Sequence, residues 1–326
     1  AMTRRDFVRF STLLSAGLVA GLPVRGLGRS PVGAETFYNW IEVAPGLHAG
    51  MGPVGDNMAI VGGNCLLAVG KEDSLLIDTK QAVLGPSLRR EALAIAKSID
   101  HVINTHHHFD HAGGNAAFHT GSTVISAHPK CRERIAASSG QMLAQLDQKI
   151  AALSGLDGEA AKAAAADAGA FKASLATIDK EAFVPDESIE GGTLRLAGRQ
   201  VEVTHVGAGH TDNDLILFFP EANVLVAGDL IFNGLHPYFD VSASATSTGW
   251  VRSLSRIVGM CDQKTMVVPG HGAMTDIEGV KRQIQYFETL TSAVRKAKED
   301  GKTREEVAAM KLPEHAQLGL KVAEAI

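Results

Sequence analysis

His106-His107-His108-Phe109-Asp110-His111 is the densest run of metal-binding side chains in the sequence. Imidazole and carboxylate are good donors to zinc. The run follows an apolar pair, Val102-Ile103, which reads as a short strand. Side chains alternate at a strand end, so His106 and His108 are predicted to point one way and His107 another. Past the strand the chain turns at Gly113-Gly114. That turn lets Asp110 and His111 face a second ion beside the first.

Three later segments each offer one donor at the end of an apolar run. His210 lies in Gly209-His210-Thr211, after the run Val201–Thr204. Asp229 follows Gly228 after Val224–Val226, and His271 lies in Gly270-His271-Gly272 after Thr265–Val268. Flanking glycines let the backbone turn sharply near a crowded site.

Together these segments resemble the metallo-β-lactamase superfamily. The pattern His-x-His-x-Asp-His matches residues 106–111, and Gly-His-Thr, Gly-Asp and Pro-Gly-His match 209–211, 228–229 and 269–271 in order. The resemblance spans roughly residues 40–275 and implies an α/β, four-layer αβ/βα sandwich. It implies a first metal on His106, His108 and His210, a second on Asp110, His111 and His271, and Asp229 bridging them. Two Zn2+ ions are expected, although iron or manganese suits the same donors. They would share a hydroxide made at neutral pH, which Asp110, the catalytic carboxylate, would orient. Asp78, in Leu75-Leu76-Ile77-Asp78-Thr79, falls where the family places a buried aspartate that supports the ligand loop. Phe232, His236 and Tyr238 follow the bridging position closely and are expected to contact substrate. His107 is expected to be a spacer or to support its neighbours.

Outward from the motifs, Phe37–Val43, Met58–Ile60, Cys65–Val69, Ser74–Ile77 and Thr123–Ser126 read as strands. A glycine-rich turn, Gly50-Met51-Gly52-Pro53-Val54-Gly55, is expected to form a hairpin tip. Pro86–Ile99 has helical periodicity. Residues 128–182 form a helical insertion with Met142, Leu143, Leu146, Ile150 and Leu153 at helical spacing, and a frayed centre is expected at Gly155–Gly169. Leu194–Leu196 and Leu215–Phe219 resume the strands, and residues 276–326 are expected to be helical, with a capping box at Thr303-x-x-Glu306.

The 326 residues are 45% hydrophobic and 21% charged, which is ordinary for a globular chain with ample core. Residues 1–34 read as a twin-arginine-type leader: Arg4-Arg5, an apolar run from Leu13 to Val24, and a small-x-small site at Val32-Gly33-Ala34. A bacterial, exported or periplasmic protein, carried by the twin-arginine export machinery and without stable membrane insertion, is therefore expected. Residues 35–326 would be the working domain. The leader carries a net of +4 from five arginines and Asp6, which leaves −9 of the total −5 on the rest. An acidic body is a poor partner for phosphate backbones, so no nucleic acid is expected. Cys65, Cys131 and Cys261 form no disulfide framework and read as small buried hydrophobes.

The donor set implies hydrolysis of a small molecule more firmly than it implies which one. β-Lactamases of the superfamily usually replace the bridging Asp, and some place a Lys three positions later. Here the bridge is Asp229 and the later residue is Phe232. Lactonases and glyoxalase II carry the bridging Asp, but export removes a protein from the glutathione pathway. The reading is a di-metal hydrolase that opens a cyclic amide or ester, a β-lactam or a lactone. The alternatives are a thioester hydrolase of glyoxalase II type, a mononuclear iron sulfur dioxygenase and a non-enzymatic periplasmic metal-binding protein.

Overall fold

The computed structural model describes residues 28–29, 36–52, 62–119, 121–174 and 180–310. The expected leader lies outside them except at β1 (Gly28–Arg29), which pairs with β2 (Asn39–Ala44). The expected Met58–Ile60 strand and residues 311–326 also lie outside them.

Two sheets carry the fold. The first has eight strands in sequence order: β1, β2, β3 (Leu47–Met51), β4 (Cys65–Val69), β5 (Ser74–Ile77), β6 (His101–Asn104), β7 (Val124–Ala127) and β8 (Glu187–Ser188). The second has five, in the order β13 (Met266–Gly272), β12 (Val224–Asn233), β11 (Leu215–Phe219), β10 (Arg199–His205) and β9 (Gly191–Leu196). All of the first sheet precedes residue 189, and all of the second follows residue 190.

The period-2 alternation of the strands explains the layering. Leu66, Leu75, Ile77 and Ile103 face Val203, Leu217, Val226 and Val268 in a core between the sheets. Their neighbours Leu67, Leu76 and Val102 face the other way, toward α1 (Gly85–Ile95) and toward α3 (Pro129–Ser154), which opens the insertion. On the far side Ile216, Leu225 and Val267 pack against Trp250 and Leu254 of α5 (Ser247–Met260) and against Phe287 of α6 (Ile277–Glu299). Helices, sheet, sheet and helices are the four layers expected from the sequence. Strands buried on both faces read as continuous apolar runs, which is why Cys65–Val69 and Leu215–Phe219 were legible to the residue.

Three local expectations are corrected. Glu159–Ser174 is helical, as α4, so between residues 129 and 174 the insertion breaks around Gly155–Gly158; the alanines of α4 outweigh one glycine at residue 169. Gly50 and Met51 belong to β3, paired with β2 and β4, rather than to a turn. β12 and β13 run on through Asp229 and His271 instead of ending before them. The capping box at Thr303 and Glu306 opens α7 (Arg304–Ala308) as expected.

A buried carboxylate ties down the start of β2. Glu91 on α1 is 1% exposed and accepts from the backbone N–H of Phe37 (2.7 Å) and Tyr38 (3.4 Å) and from Trp40 Nε1 (3.0 Å). Glu91→Ala strands these donors in an apolar layer. We expect it to destabilise the protein by about 3 kcal/mol, since each orphaned buried group costs roughly 1–3 kcal/mol. Urea unfolding checks this, and a loss below about 1 kcal/mol would show that water reaches the donors.

Candidate metal centre

The histidine run begins where β6 ends. Asp78, at the end of β5, adopts a left-handed backbone (φ 64°) that turns its carboxylate under the run. Its Oδ1 accepts from Thr105 N–H at 2.7 Å, and its Oδ2 from the Thr105 hydroxyl at 2.8 Å and from His111 Nδ1–H at 2.8 Å. A short helix, α2 (Phe109–Ala112), then folds Asp110 and His111 back toward the centre. Gly63 packs against the His111 ring so closely that a Cβ there would overlap it.

The second sheet supplies the rest. His210 lies in the loop after β10, whose turn is closed by Asp214 accepting from Thr211 N–H (2.8 Å) and Oγ1–H (2.7 Å). Asp229 lies where β12 loses register with β13, between Gly228 and Phe232. Two long side chains satisfy the backbone freed there. Trp250 Nε1 and Gln283 Nε2 both donate to the Leu230 carbonyl, and Gln283 Oε1 accepts from Phe232 N–H. Gly228 has φ 51°, and a Cβ there would come within 2.7 Å of Thr105 Oγ1, so only glycine lets the strands approach this closely.

The donor atoms converge in two groups: His106, His108, His210 and Asp229, and Asp110, His111 and His271, each within 4.8 Å of one another. Asp229 touches both groups. Its Oδ2 is 3.4 Å from His210 Nε2 and 3.4 Å from His271 Nε2, and its Oδ1 is 3.0 Å from His111 Nε2.

The hydrogen bonds fix which ring nitrogen faces inward. The Thr105 hydroxyl gives its proton to Asp78, so it accepts from His106 Nδ1–H at 3.1 Å. His108 Nε2–H donates to Asp240 Oδ2 (2.8 Å), and His210 Nδ1–H donates to the Tyr238 carbonyl (2.8 Å). The lone pairs of His106 Nε2, His108 Nδ1 and His210 Nε2 are thereby aimed at the centre, and His111 Nε2 faces it 3.0 Å from Asp229 Oδ1 with a proton that a bound metal would replace. His108 Nδ1 and His210 Nε2 face each other at 2.9 Å, and His106 Nε2 is buried with no hydrogen-bond partner among the described residues. Facing lone pairs and orphaned acceptors repel unless a cation lies between them, so the donors fit a metal. The residues present are nitrogen and oxygen ligands of the kind zinc takes.

Electrostatics separate the two groups in the metal-free protein. Burial, reinforced by neighbouring histidines, pushes His106 far down and His210 down to about 3. Burial also acts to lower His271, but Asp229 and Asp110 outweigh it and lift His271 to about 9. The Asp110 carboxyl is held well below the usual range: burial opposes ionisation, and His111 and His271 overcome it. A folded His271 pKa above the unfolded 6.5 contributes stability that is complete below about pH 6.5 and lost as pH rises through 9. Metal-free protein is therefore expected to lose stability as pH rises from 6 to 10. Denaturation midpoints across that range test this, and a rise with pH contradicts the assignment.

All seven expected metal-binding residues meet at this seam, with Asp78 beneath them. Of the three expected substrate contacts, Tyr238 is 53% exposed, with its ring 6.0 Å from that of His108. Phe232 is buried, stacked on His271 and packed on Trp250. His236 is buried, with Nδ1 3.0 Å from the Tyr286 hydroxyl. Sequence reasoning missed Asp240, which holds His108, and Lys80. Lys80 is fully buried, 4.5 Å from the Tyr38 ring centroid, and donates to the carbonyls of Gly50 and Gly63. A lysine directly after a buried Asp-Thr was the available signal for the second; a lone Asp in a loop gave none for the first. Cys65 and Cys131 are buried, Cys261 is partly so, and all three are free thiols.

Two sheets meeting over converging histidines and carboxylates define a metal-binding αβ/βα sandwich. The chain belongs to the metallo-beta-lactamase superfamily, whose model matches residues 59–271. Metallo-beta-lactamase IND-1 of Chryseobacterium indologenes is 26% identical over 81 residues, 25% of this chain and 34% of that protein. Hydroxyacylglutathione hydrolase of Rhodospirillum rubrum is 27% identical over 195 residues, 58% of this chain and 56% of that protein. The chain thus spans between about a third and just over half of these curated relatives. A solved metallo-beta-lactamase from Pontibacter korlensis superposes with a TM-score of 0.53 at 17% identity, covering 80% of this chain and 99% of that one, a likeness of fold. Among the described residues no helix is long and apolar enough to cross a membrane.

Proposed function

We propose that this protein is an exported di-zinc hydrolase that opens a cyclic amide or ester, a β-lactam or a lactone. The observation that carries the reading is the convergence of inward-facing imidazole nitrogens on both sides of one buried carboxylate, Asp229. His106, His108 and His210 would hold one ion, Asp110, His111 and His271 the other, and Asp229 would touch both. Metals bound there supply Lewis acidity and an activated water at neutral pH.

The chain's own residues do the remainder. Asp110 is the catalytic carboxylate in this reading. It is the more exposed of the two donor carboxylates at the centre, with a quarter of its side chain open against 3% for Asp229. Held ionised by His111 and His271, its carboxylate accepts the O–H of the attacking water and aims the oxygen's lone pair at the carbonyl carbon. The Asp78 and Thr105 bonds keep the His106 and His111 rings from turning as charge develops. Tyr238 offers an exposed aromatic face beside His108 for the apolar part of a substrate.

Thioester hydrolysis is the second reading, favoured by the longer match to hydroxyacylglutathione hydrolase, 195 residues against 81 for IND-1. One panel separates them: the full chain, loaded with zinc, assayed with a chromogenic cephalosporin, an acyl lactone and a thioester. Turnover of the lactam or lactone, with about two zinc ions per chain, is expected. Asp110→Ala should lower it by about 10²–10⁴-fold, the usual contribution of a positioned base. A single bound iron with no hydrolysis would sink the reading and favour an iron-dependent oxygenase.

A further inference from the structure

We propose that the helical insertion positions the metal ligand His108, with Arg134 on α3 acting through Asp212, Asn213, His107 and Asp240. The inference rests on the metal-centre reading above and deepens it.

The connection can be followed bond by bond. Arg134 meets Asp212 in a two-pronged pair, Nε to Oδ1 at 3.0 Å and Nη2 to Oδ2 at 2.8 Å. Asp212 is two residues past His210 and buried, and the Arg134 side chain is 29% exposed, so the pair is shielded more than most surface pairs. Asp212 Oδ1 accepts from Asn213 Nδ2 at 3.0 Å. Asn213 is fully buried and grips His107 twice: its Oδ1 accepts from the His107 backbone N–H, and its Nδ2 donates to His107 Nδ1, both at 3.1 Å.

Accepting at Nδ1 places the His107 proton on Nε2. That nitrogen lies 3.5 Å from Asp240 Oδ2, the same oxygen that accepts from His108 Nε2–H at 2.8 Å. The other oxygen, Oδ1, takes the Ser242 hydroxyl and Ala243 N–H, so Asp240 cannot swing away. The His108 ring is therefore held with Nδ1 inward by a carboxylate, and its backbone neighbour by an amide. Both are fixed by a guanidinium from the insertion. Lys130 Nζ, on the same helix, lies 3.4 Å from Asp212 Oδ2 as a second and longer ion pair, and another ion pair of the insertion, Arg90 to Asp167, leads away from the centre and serves as a control.

Cobalt(II) titration of the metal-free full chain tests this, because visible absorption reports ligand geometry independently of turnover. Partners behind a metal ligand cost 10–100-fold in affinity when removed. Asp240→Asn is expected in that range. Arg134→Met, acting from further out, is expected to weaken binding about tenfold and to move the spectrum in the same direction. The double variant should bind no more weakly than Asp240→Asn alone, and Arg90→Met should match the parent. Should Arg134→Met fail to fold, Asp212→Asn, of equal volume, carries the same expectation. Parental affinity and spectrum in Arg134→Met, or additive losses in the double variant, overturn the relay while leaving the hydrolase reading intact. A parent chain that takes up no cobalt overturns both.

Discussion

Asp229→Ala is expected to lose bound metal and turnover together, by more than 100-fold. Residues behind the ligands already account for 10–100-fold each, and among the described residues Asp229 is the one carboxylate within 3.4 Å of histidines from both groups. Its removal leaves His111 and His271 without the charge that keeps them protonated in the metal-free protein, where Asp229 raises both against burial. The variant should thus be less stable than the parent in chelator as well as in zinc. Metal analysis, turnover and a thermal midpoint, taken on one preparation, decide the matter. A variant that retains two ions and a tenth of the activity would show that the carboxylate is structural only.

The second large effect is expected at Asp78, which touches no substrate. Its backbone is left-handed, a conformation that asparagine tolerates and alanine does not. Asp78→Asn therefore isolates the charge. An amide has one acceptor oxygen where the carboxylate serves three donors, the Thr105 N–H, the Thr105 hydroxyl and His111 Nδ1–H. At least one buried donor is left facing an NH2, which costs about 1–3 kcal/mol. The His111 and His106 rings also lose the bonds that set their tautomers. We expect metal affinity to fall by about 10–100-fold and the unfolding midpoint to drop. Parental zinc affinity in Asp78→Asn would mean that packing alone orients His111.

The local patterns were legible because they are short-range. A buried strand writes itself as an apolar run, and a ligand at a strand end is marked by the glycine that lets the chain turn. The donor-bearing segments could thus be singled out from sequence, while the ligand set as a whole and Asp78 came from the resemblance to the superfamily. Their supports could not, because each pairing is set by packing: Asp240 lies 132 residues from His108, Arg134 lies 78 from Asp212, and Glu91 lies 51 from Trp40. Gly228 suggested that β12 stops there. The strand continues because Trp250 and Gln283 take over the backbone groups that the irregularity frees. No local rule anticipates that substitution of side chain for strand partner.

The clean division of the chain at residues 189–190 has a consequence for how the molecule can be taken apart. Among the described residues, every strand before it belongs to one sheet, on the side that carries Asp78 and the run from His106 to His111, and every strand after it belongs to the other, on the side that carries His210, Asp229 and His271. Each half holds an incomplete set of donors and one exposed apolar face of the shared core. Two fragments cut at this point would each lack part of the donor set, so metal binding measured on each piece and on their mixture would show whether core and centre rebuild together.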